Sequence, residues 1–236
     1  MDKPLPILDT DGPARRNVMV LVAAQAILGA QMPMIFVVAG LAGKQLAPNA
    51  CFATLSISVM VIGSMLSANP LSALMARFGR RAGFVVGALG GALGGGVAAY
   101  GLSIASFPLF LVGAFLSGIY QSSQGFFRFA AADSASDAFR PKAISWVMAG
   151  GLIGAIVGPN LASQSKGWFE TPFMGAYVAL TAVAVVGMVL MHFVKFPPVA
   201  EKVSGSSEGR PLSEIMRQPV FIVSAAAAAL SFGVMN

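Results

Sequence analysis

Arg77-Phe78-Gly79-Arg80-Arg81 places three cations within five residues, between two long runs that carry no charge at all (48–76 before it, 82–108 after it). Each run exceeds the roughly 20 apolar residues that a helix needs to cross the hydrocarbon core of a bilayer. A joint this short can only connect two antiparallel spans that return to the same membrane face. Short loops rich in Lys and Arg stay in the cytoplasm, so the joint also names the face.

The rest of the composition agrees. Of 236 residues, 56% are hydrophobic and 10% are charged, where a soluble domain carries about 25% charged residues. The chain is therefore expected to be an all-α polytopic membrane protein whose first partner is the lipid bilayer. The net charge of +6 does not indicate nucleic acid, because the cations are confined to a few loops. Cys51 is the only cysteine, so no intrachain disulfide can form, and His192 is the only histidine. A His-based metal site or catalytic triad cannot be assembled. No His-Glu-x-x-His and no intramembrane Asp pair occurs either, so the chain reads as a non-enzyme with no bound cofactor. Asp133 and Asp137, four apart on the cytoplasmic side, could face each other, but are expected simply to sit at a loop or helix end.

Read in order, residues 1–17 form a polar cytoplasmic N-terminus and 18–194 a bundle of six spans. Residues 195–218 form a cytoplasmic linker with a short interfacial helix over 212–217, and 219–236 begin a seventh span that the chain cuts short. The spans are expected at 18–43, 48–76, 82–106, 107–132, 143–163 and 172–194. With the N-terminus inside, every Lys and Arg except Lys44 and Lys166 falls on the cytoplasmic side, which supports six spans with the N-terminus inside and the start of a seventh.

Polar residues at membrane depth mark what the spans enclose, since they must face protein or a water-filled cavity. Span one holds Gln25, Gln31 and Pro33; proline kinks a helix. On a straight helix the two glutamines point about 120° apart. In span four, Ser117, Gln121, Gln124 and Arg128 recur at one helical face, beside Tyr120, with Arg128 snorkelling outward at the end. Gln25, Gln31, Met34, Tyr120, Gln121 and Gln124 are the candidate substrate ligands. Gly87, Gly91 and Gly95 in span three, and Gly150, Gly154 and Gly158 in span five, make smooth faces for close helix packing, with a bend at Pro159.

The joint at Arg77–Arg81, the glycine-proline run Gly150–Pro159 and the long linker after six spans resemble the N-terminal half of a major facilitator superfamily transporter. The resemblance implies two inverted three-helix repeats, a missing C-terminal six-helix half, and a substrate cavity between the halves with alternating access. It implies that Arg77, Gly79, Arg80 and Arg81 form an inner latch, and that Gly150, Gly154, Gly158 and Pro159 form a hinge. The family's Gly-x-x-x-Asp ahead of the joint falls here on Ser72 and Ala76, so its acidic partner is absent. Phe126-Phe127-Arg128-Phe129-Ala130-Ala131-Ala132-Asp133 with Arg140-Pro141-Lys142-Ala143-Ile144-Ser145 is similar to a proteobacterial branch of copper importers and related flavin importers. In the copper branch a Met-x-x-x-Met pair lies in span seven, which makes Met235 a candidate metal ligand; soft thioethers suit Cu(I). The expected function is secondary transport of a small solute or metal ion. Copper is the first reading, with riboflavin or another small molecule, or a non-transporting half, as the alternatives.

Overall fold

The structure is a computed structural model that describes residues 12–194, 214 and 217–235. In the first of two compact units the helices run α1 (Gly12–Leu28), α2 (Gln31–Leu46), α3 (Leu55–Phe78), α4 (Arg80–Ser103), α5 (Phe107–Gln124), α6 (Phe127–Asp133), α7 (Arg140–Ser165) and α8 (Met174–Phe193). A 3-10 turn, Ala50–Phe52, precedes α3, and Asn49 caps it by accepting from the Cys51 N–H. The second unit holds α9 (Pro219–Met235). The expected interfacial helix over 212–217 lies largely outside the described residues, as do most of the N-terminal flank and the linker.

Among the described residues, five stretches are long and apolar enough to cross a membrane: Arg15–Leu46, Ala50–Phe78, Arg80–Ser103, Arg140–Ser165 and Met174–Phe193. Two of the expected spans are not single helices. The first breaks at Gly29–Ala30, one turn before Pro33. The reason is local. Proline has no N–H to give the carbonyl four residues back, and its ring crowds that carbonyl, which belongs to Gly29. The chain tightens there instead: the Gly29 N–H reaches the Gln25 carbonyl at 2.8 Å and the Ala30 N–H reaches the Ile27 carbonyl at 3.2 Å. The fourth expected span, 107–132, is likewise interrupted. α5 stops at Gln124, and α6 starts at Phe127 after Gly125-Phe126. The polar run Tyr120–Gln124 ends α5, which explains why that helix is not among the five apolar stretches. α7 contains Pro159 yet stays helical from Arg140 to Ser165.

The buried apolar residues fall into two clusters along the bundle. One joins Val18, Leu21 and Leu28 of α1 to Phe84, Tyr120, Phe127, Val147 and Met191. The other joins Met34, Ile35 and Val38 of α2 to Met60, Leu102, Phe110, Tyr177 and Leu180. The break at Gly29–Ala30 thus sits where one core gives way to the next.

Glycine lets the helices approach this closely. An alanine methyl at Gly154 of α7 would lie 2.7 Å from the Gly29 carbonyl carbon and 2.8 Å from the Ala30 nitrogen. One at Gly150 would lie 2.6 Å from the Val22 carbonyl oxygen, and one at Gly158 would strike the Ala30 carbonyl. α7 therefore lies backbone to backbone on the broken first span. The same arrangement joins α5 to α3: a methyl at Gly118 would lie 2.6 Å from the Ser64 nitrogen, and one at Gly63 would strike the Phe115 carbonyl.

The turn between α3 and α4 is a single residue, Gly79, at φ 87° and ψ 164°. Side chains rarely adopt such backbone, so glycine is required there. The turn aims Arg80 and Arg81 along the end of the bundle. Arg80 donates through Nε to Asp133 at 2.9 Å and pairs with it through Nη2 at 2.8 Å. Asp133, at the end of α6, thus supplies the carboxylate that position 76 lacks. Arg81 donates to the Met191 carbonyl at 3.2 Å and to the His192 carbonyl. These are last-turn carbonyls of α8, which have no partner within the helix and carry its negative end. The Arg77 guanidinium stands 5.4 Å from the Phe78 ring centre. Asp133 and Asp137 lie at a helix end and in the loop after it, as expected: Asp133 closes α6, and Asp137 takes Arg140 at 2.8 Å.

Candidate functional site

A cavity of about 300 Å³ opens between α1, the α5–α6 junction and α7, lined by Gln25, Gln124, Gly125, Phe127, Arg128, Val147 and Met148. The break after α5 makes it. Gly125 brings no side chain, and the change of direction turns Phe127 into the core while Arg128 stays exposed. In a bilayer, non-helical backbone is tolerated where protein covers it or where it borders a water-filled cavity. The first-span break meets the former condition, with Leu28 and Ala30 buried. At the second break Gly125 is exposed and borders the cavity.

Two of the expected ligands line the cavity, and a third, Tyr120, is buried behind it and bonds one of them. Gln25 projects between α1 and α7, its Nε2 3.4 Å from where a methyl on Gly151 would sit. Gln124 lines the same cavity and donates through Nε2 to the Tyr120 hydroxyl, which donates to the Leu28 carbonyl. One phenol therefore links the polar end of α5 to the last turn of α1.

The other candidates lie apart from the cavity lining. Gln31 is 0% exposed, and neither of its amide atoms has a hydrogen-bond partner. Its Oε1 packs against α4, 2.9 Å from the place of a methyl on Gly91, next to Tyr120. The Gln121 Oε1 and Ser122 Oγ are buried and unpartnered as well, as is the Gln25 Oε1. An unmet buried amide costs roughly 1–3 kcal/mol, so this concentration in one region is a departure from ordinary packing. Met34 is buried in the second core cluster. The helical break at Gly125 ends the single stripe expected from Ser117 to Arg128, and Ser117 turns into the α4 interface, its Oγ on the Gly113 carbonyl at 3.0 Å. Met235 ends α9, and its side chain lies outside the described residues.

The cavity wall holds two amides, an aromatic ring, a thioether and one cation, with no carboxylate. Phe127 is fixed against Phe84, ring centres 4.5 Å apart. The Arg128 guanidinium lies 4.9 Å from the Phe129 ring centre. Gly125, Phe127, Val147 and Met148 were not legible as wall residues beforehand; the signal was a glycine placed directly after a polar run at membrane depth. Among the described residues no group of three or more His, Cys, Asp or Glu comes together. The wall offers amide groups and one guanidinium, chemistry that suits hydrogen bonding to a polar solute without a positive charge.

Comparison with known proteins adds the lineage. Residues 19–236 match the Major Facilitator Superfamily. The chain is 36% identical over 225 residues to the riboflavin transporter RfnT of Brucella anthropi, covering 94% of this chain and 56% of that protein. It is 27% identical over 194 residues to the uncharacterized MFS-type transporter YddS of Bacillus subtilis, covering 78% of this chain and 44% of that protein. The chain spans about half the length of the curated relatives it matches. Its apolar helices, glycine-packed seams and arginine-bearing Gly79 turn sit within a match that runs almost end to end, and the chain belongs to the major facilitator superfamily of membrane transporters.

Proposed function

We propose that the protein carries a flavin of the riboflavin class across the bacterial inner membrane by secondary transport, with the Gln25–Gln124 cavity as part of the substrate site. The observation that carries this reading is the convergence of two span-borne amides, from α1 and α5, on one cavity walled by Phe127, Val147 and Met148. A riboflavin transporter among the relatives supports the substrate class. The copper reading finds no such support. Its key ligand, Met235, has no described side chain, and Met34 is used in packing.

The helix pairings favour two inverted repeats. α7 packs on the broken first span as α5 packs on α3, in both cases through glycines against backbone. In that scheme α5 and α6 together form the fourth of six spans, and the N-terminus is cytoplasmic. The cavity faces a second half like the remaining length of the relatives, and access alternates by rocking. Arg80, Arg81 and the Gly79 turn hold the inner ends of α4, α6 and α8 in one conformation, while Gly150, Gly154 and Gly158 let α7 slide.

The test is riboflavin uptake by cells that cannot synthesise it. Expression of the protein in its full genomic length should restore growth at low external riboflavin. Gln25→Ala with Gln124→Ala should abolish the rescue without removing the protein from the membrane. Growth that stays dependent on high riboflavin, or uptake that ignores both glutamines, sinks the proposal.

A further inference from the structure

Tyr120 does not reach the cavity, yet it decides what the cavity meets. Its ring is 1% exposed within the first core cluster. It lies close against α4, where a methyl on Gly91 would sit 3.2 Å from its Cβ and Cγ. The phenol is thereby held in place, and its oxygen has two partners, the Leu28 carbonyl and the Gln124 amide. A carbonyl offers only lone pairs, so the single phenol hydrogen goes to Leu28. Toward Gln124 the phenol oxygen can then only accept, and the half of the amide that faces it must be the NH2. A side-chain amide, nearly symmetrical in shape, could otherwise sit either way round. The Gln124 Oε1 is consequently turned away from Tyr120. Among the described residues it accepts no hydrogen bond, and it is not one of the enclosed, unpartnered atoms. Gln124 lines the cavity, so this oxygen is the accessible end of the side chain. Gln25 has no corresponding clamp among the described residues, and its own Oε1 is enclosed.

Resting on the flavin reading above, we infer that Tyr120 is a positioning residue: it fixes the Gln124 amide so that the substrate meets an acceptor and must bring an N–H or O–H donor to it. A flavin carries two kinds of donor, the N3–H of its ring and the hydroxyls of its ribityl chain. Either satisfies the Gln124 oxygen. A free amide adapts, because it can turn and offer its NH2 to a substrate that brings only acceptors. The clamped amide cannot turn without breaking its bond to the phenol. A site built around a fixed polar group rejects an analogue lacking the matching group far more strongly than an apolar pocket rejects a lost methylene. Loss of the Tyr120 hydroxyl should therefore relax discrimination between flavins, not merely weaken the binding of all of them.

Displacement of labelled riboflavin from the protein in its full genomic length, purified in mild detergent, tests the assignment. The competitors are riboflavin, N3-methylriboflavin, which lacks the ring N–H, and lumiflavin, in which a methyl replaces the ribityl chain. In the unmodified protein the analogue missing the donor that Gln124 reads should compete about tenfold more weakly or worse, the loss of one hydrogen bond with its acceptor left unmet. Gln124→Leu should reduce that penalty about tenfold, because no acceptor remains to be disappointed. Tyr120→Phe should reduce the same penalty about threefold or more while the penalty of the other analogue stays as it was. A tyrosine that served the fold alone would weaken all three flavins by one factor, and that result overturns the positioning role. A penalty untouched by Gln124→Leu overturns the acceptor assignment. So does equal competition by all three flavins in the unmodified protein, an arm that needs no variant. Absence of riboflavin binding by the unmodified protein is a separate outcome, which overturns the flavin reading on which the inference rests.

Discussion

Gly154→Ala should destabilise the bundle, while Gly96→Ala should not. A methyl at Gly154 would lie 2.7 Å from the Gly29 carbonyl carbon, 2.8 Å from the Ala30 nitrogen and 2.9 Å from the Ala26 carbonyl oxygen. All three are backbone atoms, so no side chain can rotate out of the way. Restoring carbon contacts of at least 3.5 Å requires α7 to retreat by about 0.8 Å from the first span. Overpacking of that kind costs about 1–3 kcal/mol. The gain in helix propensity from glycine to alanine returns about 0.5–1 kcal/mol, leaving a net loss of up to about 2.5 kcal/mol, with a midpoint of about 1 kcal/mol. At Gly96 nothing lies within 4 Å of the added methyl, so only the propensity gain remains. Both substitutions add the same apolar methyl, which removes hydropathy as an explanation of any difference. Unfolding the purified protein from mild detergent with a denaturing one measures the two. A Gly154→Ala variant as stable as the parent, or a matching loss at Gly96, would refute the backbone-to-backbone seam between α7 and the first span.

Tyr120→Phe removes a phenol that donates to the Leu28 carbonyl and accepts from Gln124. Interhelical hydrogen bonds in membranes are worth about 0.6 kcal/mol on average and up to about 1.7, so the same unfolding assay should register a loss in that range; no loss would mean that the clasp contributes nothing. The Arg80–Asp133 pair has side chains 30% and 46% exposed, so screening holds its contribution to stability to about 1 kcal/mol or less. Arg80→Asp should impair uptake, and Arg80→Asp with Asp133→Arg should restore part of it; a double variant no better than the single one would remove Asp133 as the partner of the turn.

What the sequence made legible was what depends on one segment at a time. The arginine-rich turn, the uncharged runs on either side of it and the glycine periodicity of α7 can each be read without knowing a neighbour, because lipid demands the same of every span. The corrections concern relations between segments. Position 76 holds alanine, yet Arg80 finds its carboxylate 53 residues away on α6. No local pattern announces a partner chosen by helix packing. The 120° estimate for Gln25 and Gln31 assumed one straight helix, and Pro33 acts a turn upstream of itself. Gln25 consequently reaches a cavity with Gln124, while Gln31 is enclosed behind Tyr120. The interruption at Gly125–Phe126 has no proline to signal it. It accompanies the packing of Phe127 against Phe84 and a cavity that borders the exposed Gly125.

The two helix breaks answer the same backbone requirement in opposite ways. At Gly29–Ala30 the interrupted backbone is covered by protein, and its free carbonyl at Leu28 is met by a side chain from another helix. At Gly125–Phe126 the interrupted backbone borders the cavity itself. Tyr120 lies one turn before the second break and bonds the carbonyl beside the first, so a shift at either junction is felt at the other through a single weak bond. A bond of about 1 kcal/mol is strong enough to set which of two arrangements is more populated and weak enough to be exchanged between them. With Gln124 held by the same hydroxyl, occupation of the cavity and the geometry of the first span share one polar atom. The two discontinuities are joined not by a long pathway but by one phenol.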